Sequence, residues 1–349
     1  VSVWLRWIEQ HGIEVPFPSG GYRGDYIKNI ATEIDTESTT RVDQDAVLDG
    51  LPADAPEGDK EAYVEALIER AKQLLGDSGF DHIRQQSLES IREDIEDDLA
   101  GFGVTFDRWY SEQSLTRNDA IDKALAVLEE RGRLYVKDGA TWFRATDFGD
   151  EKDRVVIREN GVKTYFASDI AYHYEKRERG FDHLIDILGA DHHGYVPRVR
   201  AGLEAMGYDG DSLEVQLVQF VALYRSGKKM QMSTRSGEFD TLRQLRAEVG
   251  NDAARFYYVS RSNDQHLDFD LDVAKSQSND NPVYYIQYAH ARIASVFRQL
   301  GEKSLEWDPD NASEHLGLLI ESQEKALMTM LSRYPEVVEL AATNRAPQH

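Results

Sequence analysis

The segment RSGKKMQMSTRSG at residues 225–237 has the residue types of an anion-binding loop. It contains no acid, and it places four cations within eleven residues: Arg225, Lys228, Lys229 and Arg235. Its glycines allow backbone N–H groups to turn toward an anion, and its hydroxyl side chains are further donors. The segment therefore predicts either a phosphate-binding loop or a solvated basic loop, although it lacks the G-x-x-x-x-G-K-[ST] pattern of a Walker loop.

A second polar cluster, GADHHGY at residues 189–195, contains side chains that can ligate a metal or hydrogen-bond a substrate. These are Asp191, His192 and His193. Adjacent histidines diverge in any regular backbone, and the chain has no H-x-x-x-H or H-E-x-x-H pattern. Three interpretations stay open: a metal site, a polar substrate-binding cluster and a structural turn.

The segment TYFASDIAYHYEK at residues 164–176 combines aromatic rings with one carboxylate near its start. Tyr165 and Asp169 are four residues apart, so a helix places them on one side. An aromatic ring beside a carboxylate suits a cation such as a guanidinium, which can donate a forked pair of hydrogen bonds. The alternative is that Asp169, with Ser168, caps the start of its own helix.

The aromatic segment NPVYYIQYAHARI at residues 281–293 places Tyr284 and Tyr288 one helical turn apart. Taken alone, this spacing is typical of a helix that packs its aromatic face into a core.

The composition narrows the class of protein. The 349 residues suffice for two or three domains, and the net charge of −23 argues against a protein that coats nucleic acid generally. Residues 31–100 alone hold 20 acidic and six basic residues, a net charge of −14. The absence of cysteine excludes disulfides and thiolate metal sites and is compatible with the cytoplasm, and no apolar run has the length of a membrane span.

The two ends of the sequence indicate a fragment. The start, VSVWLRWIEQHG, has no initiator Met, no basic n-region and no cleavage site, so it is not a signal peptide. It reads as the middle of a domain, and the last residues stop without a closing element. We therefore expect a chain cut at both ends.

The first 132 residues have mainly helical patterns. Helices are predicted for residues 2–12, from residue 24, and for 61–76, 82–103 and 118–132, with Asn118 as the cap and Gly132 as the stop of the last. The acidic, proline-containing stretch 42–61 is predicted to be an exposed loop or linker.

The pattern changes after residue 132. Three β-rich runs with Asp138-Gly139 and Asn160-Gly161 at turn positions predict a short antiparallel element. Residues 161–260 then alternate strands (184–188 and EVQLVQFVALY) with helices, which predicts a parallel sheet with helical crossovers. Both polar clusters follow apolar strands, where open α/β sheets bind ligands, and residues from 282 onward are helical only.

Taken together, these segments resemble the bacterial arginyl-tRNA synthetases of class I. The resemblance is collinear over nearly the whole chain and rests on these blocks: GYRGDYIKNIA, GVTFDRWYSE, GATWFRATDFGDEKDRVVIRENGVKTYFASDIAYHYEK, GADHHGYVPRV, MSTRSG, HLDFDLD and NPVYYIQYAHARI. It implies an α/β fold: a Rossmann-like parallel sheet, mainly its second half, with a helical insertion, followed by an all-α anticodon-binding domain. The implied division is a remnant of the first half plus a connective insertion (1–160), the second half (161–275) and the start of the anticodon-binding domain (276–349).

The resemblance also implies a reaction. Arginine attacks ATP, supplied with Mg²⁺, to give arginyl-adenylate, and the arginyl group then passes to tRNA(Arg). The implied catalytic group is the counterpart of the KMSKS loop with two nearby lysines: Met232, Ser233, Thr234, Arg235, Lys228 and Lys229. The implied ATP-binding residues are Gly189, Asp191, His192, Met232 and Ser233; those for arginine are Tyr165, Asp169 and His193; those for tRNA are Tyr284, Tyr288 and His290. We expect a cytoplasmic monomer that binds no membrane and holds no tight metal.

Two departures from the family pattern qualify these expectations. Gln231 and Thr234 occupy the places of the two lysines of the KMSKS loop, so Lys228 or Lys229 is the expected substitute. The HIGH signature is absent, which fits a chain that starts after it. Two rival interpretations remain: a catalytically inactive synthetase-like module that binds RNA or a partner, and a metal-dependent phosphoesterase built on Asp191, His192 and His193.

Overall fold

The computed structural model describes residues 1–34, 42–230 and 240–349. The chain forms two compact units, each assembled from separate stretches of sequence. The first contains residues 1–105, 224–255 and 270–283, and the second contains residues 106–223, 256–269 and 284–349. Within the described ranges, no helix combines the length and the apolar composition needed to cross a bilayer.

The first unit begins with four helices: α1 (Ser2–Gln10), α2 (Asp25–Glu33), α3 (Gln44–Leu48) and α4 (Lys60–Gly101). The apolar residues of α1 recur with helical spacing, and Trp4 and Ile8 are buried in a core that also contains Leu67 of α4. Gly12 ends the first helical segment with φ = +85°, as predicted.

Two expectations about this unit are corrected. Residues 44–48 are helical rather than loop, because the Asp43 side chain accepts a hydrogen bond from the Ala46 N–H (2.7 Å) and Val47 is buried. The two helices predicted at 61–76 and 82–103 form one long element, α4, with a kink at Gly76. The backbone there has φ = +67° and ψ = 167°, a conformation that side chains with a Cβ rarely adopt.

The later stretches of the first unit include the strand β7 (Lys228–Lys229) and the helix α9 (Leu242–Val249). Arg243 of α9 forms ion pairs with three carboxylates of α4: Asp94 (2.9 Å), Asp97 (3.0 Å) and Asp98 (2.8 Å). These pairs are exposed, so each contributes little alone, but together they offset part of the acidity of this helix.

The second unit opens with α5 (Gln113–Arg117) and α6 (Ala120–Glu130), followed by a three-stranded antiparallel sheet. Its strands β1 (Leu134–Lys137), β2 (Ala140–Phe143) and β3 (Arg154–Ile157) lie in the order β1-β2-β3. Asp138 and Gly139 both have positive φ (50° and 76°), which is the type I′ turn that the Asp-Gly pair predicts.

The predicted cap of α6 is wrong. Asn118 ends α5, where its N–H donates to the carbonyl of Ser114 (2.9 Å), and α6 begins after Asp119. Gly132 follows the last residues of α6 with φ = +69°, as expected for a stop.

The α/β part of this unit consists of α7 (Tyr165–Glu178), β4 (Leu184–Gly189), α8 (Val196–Ala205) and β5 (Leu213–Val218). β4 and β5 are parallel and in register from Leu184↔Leu213 to Gly189↔Val218, so α8 is the predicted crossover. Leu184 of β4 and Leu213 of β5 belong to a buried core that also contains Ile170 of α7 and Leu203 of α8.

The run EVQLVQFVALY is two strands rather than one. β5 ends at Val218, the N–H of Gln219 donates to the carbonyl of Asn263 (2.8 Å), and β6 (Val221–Arg225) then begins. β6 is the middle strand of a sheet with β7 (Lys228–Lys229) and β8 (Leu267–Asp270), in the order β7-β6-β8. Along the chain, α9 (Leu242–Val249) and α10 (Asn251–Val259) come between β7 and β8, and α11 (Leu271–Lys275) follows β8.

Residues from 282 onward are helical, as predicted: α12 (Pro282–Glu302), α13 (Pro309–Glu314), α14 (Ser322–Ser332) and α15 (Tyr334–Asn344). The expectation that the aromatic face of α12 lies in a core is wrong, because only Val283 of this helix is buried. Tyr285 and Tyr288 are 57 % and 47 % exposed.

Substitution of Gly76 by alanine is expected to lower the free energy of unfolding by about 1–3 kcal/mol, because alanine must adopt a backbone conformation that glycine alone tolerates. Urea denaturation followed by circular dichroism measures this loss. Gly301→Ala is the matched control: Gly301 lies in α12 without positive φ, and an added Cβ meets no atom within 4 Å. It should be neutral or stabilising by up to about 1 kcal/mol; equal losses in both variants would contradict the strained kink.

Candidate functional site

A cavity of about 490 Å³ lies beside α7 and β4 of the second unit. The predicted pair Tyr165 and Asp169 lines it, together with His192 from the turn after β4. Its wall also contains residues that were not predicted from the sequence: Glu112, Tyr172, His173, Lys176, Asp186 and Tyr195. Strand ends, a helix face and polar side chains therefore meet at one site, as expected for an open α/β sheet.

The sequence of α7 explains why Tyr165 and Asp169 face this cavity. The buried residues Phe166, Ile170 and Ala171 turn the opposite side of the helix into the core. Tyr165 and Asp169, four residues apart, consequently share the open side, as predicted. The Tyr165 ring is 77 % exposed, so it offers a flat surface to a ligand.

The capping interpretation of Asp169 is wrong. The side chain of Thr164 caps α7 instead, where its hydroxyl accepts a hydrogen bond from the N–H of Ala167 (3.4 Å). Among the described residues, no hydrogen bond or ion pair reaches the Asp169 carboxylate. This side chain is thus free to bind a ligand.

The electrostatic environment of Asp169 favours a cationic ligand. Burial raises the pKa of its carboxyl group; the carboxylates of Glu112 and Asp186 act in the same direction, and His173 and His192 oppose them. A half-buried carboxylate without a cation is unfavourable, and a cation in the cavity relieves that cost. The site is therefore suited to bind a positively charged group.

A buried charge cluster lies behind Asp169. His173 contacts the Asp169 carbonyl oxygen through Nδ1 (2.7 Å) and the Asp186 Oδ2 atom through Nε2 (2.6 Å). Lys176 donates to the other Asp186 oxygen (2.7 Å). Burial by itself would raise the pKa of Asp186, but the bonds and charges of His173 and Lys176 outweigh it and lower the pKa to about 2.

Glu112 is a cavity residue that was not predicted from the sequence. It precedes α5, 57 positions before Asp169 in the chain, and its exposed side chain lines the same cavity. Its carboxylate makes no hydrogen bond or ion pair with a described residue. The block GVTFDRWYSE contains it, but no periodicity links this block to α7, so only the folded structure brings the two carboxylates together.

The predicted cluster after β4 is divided. Within the described part of the chain, His192 lines the cavity, whereas Gly189, Asp191 and His193 are not among its lining residues. Asp191 and His192 are exposed, and Oδ2 of Asp191 lies 3.9 Å from Nε2 of His192. Nδ1 of His193 lies 3.3 Å from the Ala190 carbonyl oxygen. An added Cβ at Gly189 would lie 2.6 Å from a carboxylate oxygen of Asp191, but that side chain is exposed and can move away, so packing does not require glycine at this position.

The metal interpretation of this cluster receives no support from its geometry. In residues 1–34, 42–230 and 240–349, no three side chains of His, Asp or Glu converge as ligands. The phosphoesterase alternative required such a group.

The basic segment is described only in part. Lys228 and Lys229 form β7, paired with Arg225 and Tyr224, and both side chains are exposed without an ion pair to a described residue. Arg225 is occupied by Glu248 (2.6 Å) and Asp240 (3.2 Å). The predicted catalytic residues Met232, Ser233, Thr234 and Arg235 lie outside the described residues.

The residues predicted to contact tRNA lie on α12. Tyr284 and Tyr288 stack with ring centroids 6.1 Å apart, and the Tyr288 hydroxyl accepts a hydrogen bond from Arg292 (3.0 Å). His290 is exposed on the same helix. Exposed rings beside an arginine are compatible with contact to nucleic acid.

Comparison with known protein families identifies the family of this chain. Residues 58–280 match the catalytic domain of the class I tRNA synthetases (R), which is more than half of the chain. The chain belongs to this family. Residues 286–349 match the DALR anticodon binding domain. The fold class and the family resemblance inferred from the sequence are confirmed.

Relatives of this synthetase chain show the same relationship along its whole length. An arginine–tRNA ligase of Thioalkalivibrio sulfidiphilus is 59 % identical over 349 residues, which cover 99 % of this chain and 60 % of the relative. One of Legionella pneumophila subsp. pneumophila strain Philadelphia 1 is 55 % identical over 350 residues, which cover 99 % and 59 %. The chain thus spans about 60 % of the length of the curated relatives it matches.

Solved structures of arginyl-tRNA synthetases have a similar fold. One from Campylobacter jejuni, described as an arginyl-tRNA synthetase, is 30 % identical with a TM-score of 0.77, covering 99 % of this chain and 68 % of that chain. The arginyl-tRNA synthetase of Thermus thermophilus is 20 % identical with a TM-score of 0.61, covering 99 % and 67 %, and it supports the fold alone.

The charge cluster of His173, Lys176 and Asp186 beside the α7 cavity makes the stability of the folded chain depend on pH. The pKa of Asp186 is about 2 in the folded chain against an ordinary value of 3.8, so its stabilisation is complete above about pH 4 and is lost as the pH falls toward 2. We expect Asp186→Asn to lower the free energy of unfolding by about 2 kcal/mol at pH 7, with a smaller difference from wild type at pH 3.

Denaturant unfolding at several pH values measures the stability loss of Asp186→Asn. The control Asp182→Asn removes an exposed carboxylate between α7 and β4 and should lose little at any pH. A loss for Asp186→Asn that stays constant from pH 7 to pH 2.5 would contradict the assignment.

Proposed function

We propose that this chain is the part of an arginine–tRNA ligase that binds the arginine side chain and contributes to the ATP and tRNA sites. The carrying observation is Asp169, a half-buried carboxylate that forms no ion pair with any described residue, in a cavity that Tyr165 and Glu112 also line. Membership of the class I family and the names of the relatives support the same assignment.

The guanidinium group fits the chemistry of this cavity. Its planar fork can donate two parallel hydrogen bonds to the Asp169 carboxylate, while the Tyr165 ring packs on its face. Glu112, which lines the same cavity, can accept a further N–H. The ammonium group of lysine has the same charge but neither the planar shape nor the fork, so the cavity should favour arginine.

We infer the reaction from the family. The arginine carboxylate attacks the α-phosphorus of MgATP, an acyl–phosphate bond forms and pyrophosphate leaves. A ribose hydroxyl at the 3′ end of tRNA(Arg) then attacks the acyl carbon, and AMP leaves. Gly189, Asp191, His192 and His193 are proposed to border the aminoacyl-adenylate, Lys228 and Lys229 to act with residues 232–235 on the phosphates, and Tyr284, Tyr288 and His290 to contact tRNA.

Replacement of Asp169 tests the arginine site. Asp169→Asn keeps the shape but removes the charge, so we expect the affinity of the chain for arginine to fall by about 2–4 kcal/mol, because a charge-assisted pair is lost. Calorimetric titration with arginine and, separately, with ATP measures both affinities. Asp182→Asn is the control and should leave arginine binding intact; equal losses for arginine and ATP in Asp169→Asn would sink the assignment.

A second experiment concerns the rest of the active site. The chain spans about 60 % of the length of its relatives, and its sequence lacks the HIGH signature. We therefore propose that residues outside this chain complete the ATP site. The isolated chain is therefore expected to bind arginine without catalysing arginine-dependent exchange of pyrophosphate into ATP. Robust exchange by this chain alone would refute the proposal, and a relative assayed in parallel is the positive control.

A further inference from the structure

The wall of the α7 cavity contains a third carboxylate, Asp186, which the chain supplies with partners of its own. One oxygen of Asp186 lies 2.7 Å from Nζ of Lys176, and the other lies 2.6 Å from Nε2 of His173. Lys176 and Asp186 both line the cavity, and their side chains are only 15 % and 12 % exposed. An ammonium group of the protein itself therefore fills a position that opens on a ligand cavity.

Lys176 has the surroundings of a bound ammonium ligand. Its Nζ atom donates a hydrogen bond to the Asp186 carboxylate and lies 4.5 Å from the centroid of the Tyr172 ring. A carboxylate and an aromatic face are groups that bind ammonium ligands in proteins. We call Asp186 and Tyr172, which both line the cavity, the ammonium subsite.

The other two carboxylates of the cavity wall differ from Asp186. Asp169 and Glu112 form no ion pair with any described residue, and Tyr165 beside Asp169 offers a ring on which a planar cation can stack. If the ammonium subsite were open, a ligand with a primary ammonium group could bind there with the geometry that Lys176 has. Specificity is a difference between two affinities, so closing the position that a competitor would use favours the other ligand.

We propose that Lys176 is a specificity-determining residue of the arginine site, because it keeps the ammonium subsite occupied and leaves only Asp169 and Glu112 for the cation of a ligand. A guanidinium group can use these two carboxylates through its several planar donors, whereas the ammonium group of lysine finds the position that suits it already filled. This inference rests on the proposed function, since it concerns which side chain the same cavity selects. Lys176 excludes a competing ligand and is not assigned to the chemical step.

The test is to empty the ammonium subsite in the 349-residue chain. Lys176→Ala removes a propyl chain with its ammonium group, so n-propylammonium is the probe that replaces the lost atoms. Titrations at neutral pH, followed by NMR and with circular dichroism to confirm folding, compare n-propylammonium with ethylguanidinium. We expect n-propylammonium to bind about tenfold more tightly to Lys176→Ala than to the wild type, because it regains a charge-assisted hydrogen bond. Combining Asp186→Asn with Lys176→Ala should remove this gain.

Two variants serve as controls. Lys152→Ala removes an exposed lysine of the same unit that does not line the cavity, and its affinities for both probes should equal those of the wild type. Lys176→Arg keeps a cation beside Asp186, so n-propylammonium should bind to it as weakly as to the wild type. A loss of packing alone would not raise an affinity, so a gain that appears only when the subsite is empty is specific to the inference.

A measurement on the wild type decides the inference even where Lys176→Ala fails to fold. Lysine side chains labelled with ¹⁵N give a signal when the ammonium group is hydrogen-bonded and protected from water, and the Lys176 signal is identified by its absence in Lys176→Arg. We expect this signal to persist when the cavity is saturated with ethylguanidinium, because the ligand binds at Asp169 and leaves Lys176 on Asp186. Loss of the signal on saturation would show that the ligand displaces Lys176, which overturns the inference.

The outcomes separate the inference from the function on which it rests. Tighter n-propylammonium binding by Lys176→Ala, together with ethylguanidinium binding that Asp169→Asn weakens, supports both. Equal n-propylammonium affinities in Lys176→Ala and the wild type overturn the inference and leave the proposed function standing. Ethylguanidinium binding that is absent from the wild type, or unchanged in Asp169→Asn, overturns the proposed function and with it the role of Lys176 in selectivity.

Discussion

The site around α7 depends on one unfavourable constraint: the Asp169 carboxylate is half-buried, and none of the residues that the structure describes forms an ion pair with it. Burial raises the pKa of this group, and the neighbouring carboxylates of Glu112 and Asp186 add to the effect. Such an arrangement costs stability, and proteins retain it where a ligand supplies the missing charge. The remaining features of the site either hold this carboxylate in place or moderate its cost.

The parallel pair β4–β5 supplies the frame. Its register is fixed from Leu184↔Leu213 to Gly189↔Val218, and the inward side chains of α8 pack beneath it. Asp186 alternates with Ile185 and Ile187 along β4, so its carboxylate faces α7 while the flanking isoleucines are 42 % and 73 % exposed. β4 thereby presents the Asp186 carboxylate to α7, where His173 and Lys176 bond to it.

The features that could be predicted from the sequence are those set by local rules. The spacing of Tyr165 and Asp169 predicted a shared helix face, Asp138-Gly139 predicted the hairpin turn, and the apolar run at 184–188 predicted β4. The errors and omissions arise where tertiary packing decides. Burial of Val47 makes a helix of a predicted loop, Gln219 breaks a predicted strand through its bond to Asn263, and Glu112 joins the site from 57 positions away.

The charge balance of the cavity explains why one guanidinium group suits it. Asp169 and Glu112 contribute two carboxylates that no described residue pairs with, whereas Asp186 behind them is bonded to Lys176 and His173. The two unpaired carboxylates leave an excess of negative charge, which a bound monocation reduces. Because any monocation satisfies this balance, charge alone cannot separate arginine from lysine. The choice between them must come from shape: the flat Tyr165 ring and the spread of two carboxylates match a planar group with several donors better than a compact ammonium.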